Sequence, residues 1–440
     1  MNQRQNEIAN PESNTYEWLL TRTSPKKHED SCPNFLQWAV EDHRQWYWIS
    51  GNPGSGKSTL LKLLAESDIT RKYLQWWESD VQILRHYFWK PEGGMKCSLK
   101  GLWCSILHQL LNLSDELTDW VLNENEAARQ KAEHHDWSLM EIKSICLRLL
   151  VRSGTAYCIF VDGLDEISDE DGSDALLKAL DHLQGRKENR IKLCVSSRLE
   201  YRFLEKIKVA RELKLHFVNK EDMRKFAWKH LKDHLSTGNK HKSVTSHDRL
   251  LHTIVRRLLS KAEGVFLWLV IAVQSVLRGL RNKDSEEEIL LRVEQLPSDL
   301  KSLYQDMWNR MNIDEPVYSD SAAVMLSFMI KLHKIGDSAQ LLEMGFLLNL
   351  LSPMDVLEGK HDIGPDKVSK FFEKAERAVS LRSAGLLKVS PAMNYHSNPY
   401  CRKGGEGLSK CPEGVNRQVT FIHRTAYDYL TSTAHGRAIT

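Results

Sequence analysis

Residues 51 to 58 read Gly51, Asn52, Pro53, Gly54, Ser55, Gly56, Lys57 and Ser58, with Thr59 next. Glycines admit backbone conformations closed to other residues, so a loop this rich in them can turn its N–H groups inward around a compact anion. Lys57 adds a positive charge beside that cradle, and the Ser58 hydroxyl is a hard oxygen suited to magnesium. The spacing fits G-x-x-x-x-G-K-[ST] at every fixed position, and the chemistry it serves is binding of a nucleoside triphosphate with Mg2+. Lys57 is expected to bridge the β and γ phosphates while the following helix presents its positive end to them.

Such a site needs a carboxylate opposite Ser58 to share the metal. Tyr157 to Glu166, YCIFVDGLDE, supplies an apolar run that would bury a central strand and leave Asp162 at its carboxyl end. That is where open α/β sheets bind their ligands. Asp165 and Glu166 follow within one turn, close enough for one of them to orient or deprotonate an attacking water. A third run, Ile191 to Arg198, ends another buried strand in hydroxyls and Arg198, whose guanidinium would tell triphosphate from diphosphate by a charge-assisted contact.

The elements that must hold these residues follow from the patterning. Short apolar runs at Trp46 to Ile49, Ile83 to Trp89, Tyr157 to Val161 and Ile191 to Val195 alternate with amphipathic stretches such as Leu99 to Leu111 and Ser138 to Val151. This alternation predicts a parallel sheet flanked by helices over residues 45–215. Residues 1–44 read as a helical lead-in, with apolar clusters at Tyr16, Trp18, Leu19, Leu20 and at Phe35, Leu36, Trp38, Ala39. After Leu215 strand signals fade. Asn219 and Asp222 have the spacing of a helix cap before Met223, Phe226, Ala227 and Leu231, and 236–248 reads as an exposed loop. Helices are expected over Leu250 to Ser260, Val265 to Leu280 and Leu300 to Met311, with breaks at Pro297 and Pro316. Leu386 to Val389 and Val419 to Ile422 suggest a hairpin around a long loop, and Cys401 and Cys411 within it lack histidines at ligand spacing.

Composition narrows the partners. The 440 residues are 41% hydrophobic and 27% charged, and 61 basic against 58 acidic side chains leave +3, too little for an overall field toward nucleic acid or anionic lipid. Neither a specific nucleic-acid partner nor a membrane is expected. The longest apolar run, Gly264 to Leu277, is about 14 residues, short of the roughly 20 that cross a bilayer, and reads as a buried helix. The eight cysteines form no regular framework, and the opening MNQRQNEIANPESNTYEW has no signal-peptide core, so a cytoplasmic setting is expected.

Several segments together resemble the NACHT-type members of the signal-transduction (STAND) NTPases, the group that includes NOD-like receptors. The likeness is greatest to fungal NACHT proteins with a nephrocystin 3-like N-terminal domain. It is carried by TYEWLL (Thr15 to Leu20), WISGNPGSGKSTLLKLL (Trp48 to Leu64), HYFW (His86 to Trp89), VDGLDE (Val161 to Glu166) and VSSR (Val195 to Arg198). It continues through GVFLWLV (Gly264 to Val270), LPSDLKSLYQDMW (Leu296 to Trp308) and FIHRTAYDYL (Phe421 to Leu430). The resemblance implies an ASCE-type P-loop NTPase with strand order 5-1-4-3-2 over 45–215, an α-helical lid over 216–312 and a winged-helix-like α+β region over 313–440. It implies a closed diphosphate form, a triphosphate form that opens and self-assembles as a homo-oligomer, and slow hydrolysis between them. By the same resemblance His423 would approach the phosphates, and Gly264 to Trp268 would lie near the base. An N-terminal effector and a C-terminal repeat array, usual in such receptors, are not among these residues.

Two other readings use the same motifs: a steadily cycling remodelling ATPase, and a scaffold with a vestigial site. The base is not specified. Asn282, Lys283 and Asp284 are followed by Ser285 and make no guanine signature of known form, so ATP or ADP is expected and GTP stays open.

Overall fold

The computed structural model describes residues 3–13, 15–21, 33–42, 45–90, 94–124, 126–131, 133–184, 190–199, 203, 207, 210–236, 244–335, 337, 339–350, 365–389 and 417–440. The chain separates into two compact units, Met1–Leu296 and Pro297–Thr440.

In the first unit, β1 (Tyr47–Ser50), β2 (Gln82–Tyr87), β3 (Tyr157–Asp162), β4 (Ile191–Ser197) and β5 (Arg211–Lys214) form one parallel sheet in the order β2-β3-β4-β1-β5. Read from the other edge this is 5-1-4-3-2. Four of the strands lie where the apolar runs predict them. The fifth, RELK, went unread because only Leu213 of its four residues is buried, and an edge strand carries little apolar signal.

Both faces of the sheet are covered, as continuous apolar strands require. Along β3, Tyr157, Ile159 and Val161 enter one core with the helices Leu99–Leu113, Leu139–Arg152 and Gly172–Gln184. Cys158 and Phe160 enter the opposite core with Leu60, Leu61 and Leu64 of the helix Lys57–Glu66. The second core also takes up Ile8, Tyr16, Leu19, Phe35 and Trp38, so the lead-in packs on the sheet through three short helices, Gln3–Glu7, Glu17–Leu20 and Phe35–Val40. The five described cysteines 97, 104, 146, 158 and 194 are buried and unbridged.

Four helices complete this unit: Lys220–Ser236, Val244–Ala262, Phe266–Arg281 and Glu286–Gln295. The segment expected as a loop over 236–248 is helical from Val244, and Glu286–Gln295, capped by Ser285 and Glu288, was not anticipated. The apolar run is a buried helix, and no helix among the described residues is long and apolar enough to cross a membrane. The expectation for Asn219 and Asp222 needs correction. A helix does begin there, but both side chains leave it for other segments, where they find buried partners that local sequence does not reveal.

The second unit combines helices, among them Leu300–Asp314, Ser319–Lys334, Pro365–Arg382 and Arg424–Ser432, with a small antiparallel sheet. In it β8 (Gln418–Phe421) lies between β6 (Ala339–Gln340) and β7 (Leu387–Val389), with Leu387 opposite Phe421 and Val389 opposite Val419. The expected hairpin strands therefore pair, within a unit that mixes helix and strand. Their connecting loop, with Cys401 and Cys411, lies outside the described residues.

Candidate nucleotide-binding site

The sheet topology assembles the site. Because β4 inserts between β1 and β3, with Ile49 beside Ser196, Ser50 beside Ser197 and Val161 beside Val195, the strands carrying the glycine loop and Asp162 end level with one another. The loop leaves β1 at Gly51 and enters the helix Lys57–Glu66, with Gly54 at φ 74° and Gly56 at φ 98°. Both glycines adopt the left-handed region that side-chain-bearing residues avoid at a cost of about 1–2 kcal/mol. Space is a second constraint. A Cβ on Gly54 would lie 2.9 Å from the Leu267 Cβ, and one on Gly56 would overlap the Tyr16 hydroxyl.

Lys57 Nζ donates to the carbonyls of Gly51 at 2.9 Å and Asn52 at 3.0 Å, folding the side chain back along its own loop. Burial pushes its ammonium below the ordinary lysine value, opposed first by the charge of Asp165. Asp162 is 2% exposed and accepts from the Ser196 hydroxyl. Burial raises this carboxyl above its usual range, while the hydrogen bonds from Ser196 and Ser58 and the charges of Arg4 and Lys57 oppose the rise. A hydroxyl near enough to act on a buried carboxylate makes a donor pair that fits magnesium, which takes one or two protein oxygens and fills its other positions with phosphate and water. The sequence places Ser196 only among the hydroxyls that end its strand, with no role at the site. Its hydroxyl also accepts the Gly163 N–H at 3.1 Å, so it positions both Asp162 and the turn after it.

The two remaining acidic candidates diverge. Asp165 is buried and paired with Arg198, whose Nε lies 3.1 Å from Oδ2 and whose N–H donates to Oδ1 at 3.0 Å. The structure thus brings together two residues expected to act separately, one on water and one on phosphate. Glu166 is partly exposed at the end of the short turn Leu164–Glu166 and accepts the Lys90 N–H at 3.2 Å. Asn52, Pro53, Ser55 and Thr59 fall in the loop and the first turn of its helix.

The loop is tied to segments distant in sequence. Leu267 N–H donates to the Gly54 carbonyl at 2.9 Å, and Asn219 Nδ2 donates to the carbonyls of Ser55 at 3.1 Å and Gly264 at 2.9 Å. Gly264 and Leu267, within the run Gly264 to Trp268 placed near the base by resemblance, therefore lie against the phosphate loop. Asp222, fully buried, accepts the Tyr16 N–H at 2.9 Å and the Trp18 Nε1–H at 2.8 Å, holding the Tyr16 hydroxyl over Gly56. His216, also unanticipated, turns a buried and unpaired Nδ1 toward Gly51, and burial followed by the charges of Lys57 and Lys214 keeps it below the ordinary histidine value.

His423 belongs to the second unit. It precedes the helix Arg424–Ser432 and its Nδ1 accepts the Thr425 N–H at 3.2 Å, the geometry of a helix cap.

Comparison with known proteins finds one matching family and distant structural likenesses. Residues 14–198 match the family described as Nephrocystin 3, N-terminal, a span that includes Gly51 to Thr59, Asp162, Asp165, Glu166 and Arg198 but neither Gly264 to Trp268 nor His423. No curated protein matches the chain. Among solved structures, the Aeropyrum pernix ORC1 protein in complex with DNA is similar at 14% identity and TM-score 0.36, covering 96% of this chain and 98% of its own. A Walker-type ATPase of Pyrococcus abyssi is similar at 12% and TM-score 0.35, covering 93% and 99%. At these values the likeness bears on neither ligand nor partner.

Proposed function

We propose that this chain is a nucleotide-operated switch of the NACHT type, binding ATP or ADP with magnesium and hydrolysing ATP slowly. The observation that carries the reading is the loop Gly51–Ser58, held in left-handed turns between β1 and a helix, with Lys57 inside it and the Ser58–Asp162 pair at its end. Main-chain N–H groups of the loop would bind the phosphates, and Lys57 would exchange two carbonyls for phosphate oxygens. Magnesium held by Ser58 and Asp162 would neutralise phosphate charge. Glu166 is the residue assigned to orient and deprotonate water, and the Asp165–Arg198 pair stiffens the turn that presents it.

A switch also needs the site to bias a second element. The bonds from Leu267 and Asn219 to the loop carbonyls support this, because a shift of the loop on phosphate binding would pull on the helices Phe266–Arg281 and Lys220–Ser236. Opening to a homo-oligomer, a nucleotide contact from His423, a fungal source and a cytoplasmic setting are the further parts of this reading, and they rest on the resemblance. Mass spectrometry of nucleotide released from the purified protein is the test. Retained ADP supports a closed switch, whereas an empty site with rapid steady turnover would replace it with a cycling ATPase.

A further inference from the structure

Arg198, the arginine whose position in the motifs suggests a terminal-phosphate contact, is held by two contacts to Asp165. A second guanidinium reaches the same edge of the sheet from a segment that carries no motif. Arg4 lies in the helix Gln3–Glu7, with its guanidinium carbon 3.4 Å from the centre of the Trp89 ring. Trp89 stands between two residues bonded to the acidic edge: the Phe88 N–H donates to the Asp162 carbonyl at 3.0 Å, and the Lys90 N–H to Glu166 Oε2 at 3.2 Å. The helix of the glycine loop fixes the same segment, because Lys62 Nζ donates to the Ile8 carbonyl at 2.9 Å. Lys62 is one helical turn beyond Ser58 on the same face, so the lead-in is tied to the helix that carries the hydroxyl assigned to magnesium.

The donors of this guanidinium are poorly used. Its contact to Glu7 Oε2 is 3.4 Å, long for a charge-assisted bond, and its Nε is buried with no acceptor. Stacking on an indole leaves the in-plane N–H groups directed outward, where they can meet an oxyanion. A second cation lies close by. The Lys96 carbonyl accepts the Trp89 N–H at 2.9 Å, and the Lys96 ammonium, lowered by burial to about 8, feels both Glu7 and Arg4. The charge of Arg4 also acts on Asp162, ahead of that of Lys57.

We propose that Arg4 selects triphosphate at this site: held flat on Trp89 beside the Asp162 edge, it exchanges Glu7 for the terminal phosphate of a bound nucleoside triphosphate. A diphosphate ends short of it and leaves Arg4 with Glu7. The inference rests on the P-loop reading and adds the residue that senses the third phosphate, on a segment that also places Tyr16 over Gly56.

The experiment is calorimetric binding of Mg-ADP and a non-hydrolysable Mg-ATP analogue to the full chain as wild type, Arg4→Ala, Arg4→Lys and Glu7→Gln. Arg4→Ala should weaken triphosphate binding roughly tenfold and keep diphosphate binding within about twofold. Arg4→Lys should recover part of the loss, and Glu7→Gln should raise the preference for triphosphate. A triphosphate-to-diphosphate ratio in Arg4→Ala equal to that of wild type overturns the assignment while leaving the P-loop reading intact. If Arg4→Ala loses both ligands, Arg4→Lys decides, and an unaltered ratio there has the same force. Wild type that binds neither ligand takes down both.

Discussion

The glycine loop and the turn at His423 were both singled out as places where phosphate is met, yet they use their polar groups in opposite ways. At the loop, partners arrive from far along the chain: Asp162 and Ser196 from neighbouring strands, Asn219 and Leu267 from later helices, Tyr16 from the lead-in. At His423 the described hydrogen bond runs to Thr425, two residues away, and Thr425 is in turn 2.9 Å from the Tyr304 hydroxyl. A group satisfied within its own turn contributes to that turn. Groups that converge from many segments around a main-chain cradle form a surface whose shape depends on the whole unit, which is what a ligand site requires.

The contrast breaks most readily at Lys57. Lys57→Ala should reduce nucleotide affinity by at least about a hundredfold with little change in melting temperature. Affinity retained in a calorimetric titration would remove the loop from the binding site. Asp222→Ala tests whether distant partners hold the loop in place. It leaves the Tyr16 N–H and the Trp18 indole N–H buried without acceptors, and should cost about 2–4 kcal/mol in urea unfolding. A loss under about 0.5 kcal/mol would mean that the lead-in does not depend on this carboxylate.

Glu166→Gln should keep ATP affinity within about twofold and slow hydrolysis by roughly a hundredfold, read by phosphate release. Equal hydrolysis rates would move the water-activating role elsewhere.

His86, beside β3 at the same end of the sheet, sharpens the contrast through pH. Burial lowers its imidazole to about 3, and its Nε2 has no partner. The unfolded chain, titrating near the ordinary histidine value, then binds the proton that the folded chain refuses. The stability from keeping His86 neutral is complete above that value and falls by up to ~1.4 kcal/mol per pH unit as pH drops toward 3. His86→Phe should flatten this acid slope in unfolding midpoints, and an unchanged slope would assign it to other groups. The smallest effect is expected at His423. His423→Ala removes a cap worth about 1 kcal/mol and should leave ADP affinity within about twofold. A larger fall in affinity would give the ring the phosphate contact that the resemblance implies.

Much of this molecule was legible from residue order. The loop motif, Asp162 at a strand end, four of five strands and the hairpin strands are properties of short segments, and short-range patterning reports them. The strand RELK was missed because its position at a sheet edge lets polar residues into it. Asn219 and Asp222 were misread because a cap and a long-range hydrogen bond need the same side chains, and spacing does not distinguish them. Ser196 was read only as one of two hydroxyls closing a strand.

Sequence by itself determined the local chemistry: glycines that permit the loop, a lysine and a hydroxyl at its end, and a carboxylate after an apolar strand. Tertiary structure alone decided which groups face one another. It paired Asp165 with Arg198, set Ser196 on Asp162, brought Tyr16 over Gly56 and carried Arg4 to Trp89. The physical reason is that these contacts join residues tens of positions apart. Their geometry is set by strand order and helix packing, which no periodicity in the chain encodes directly.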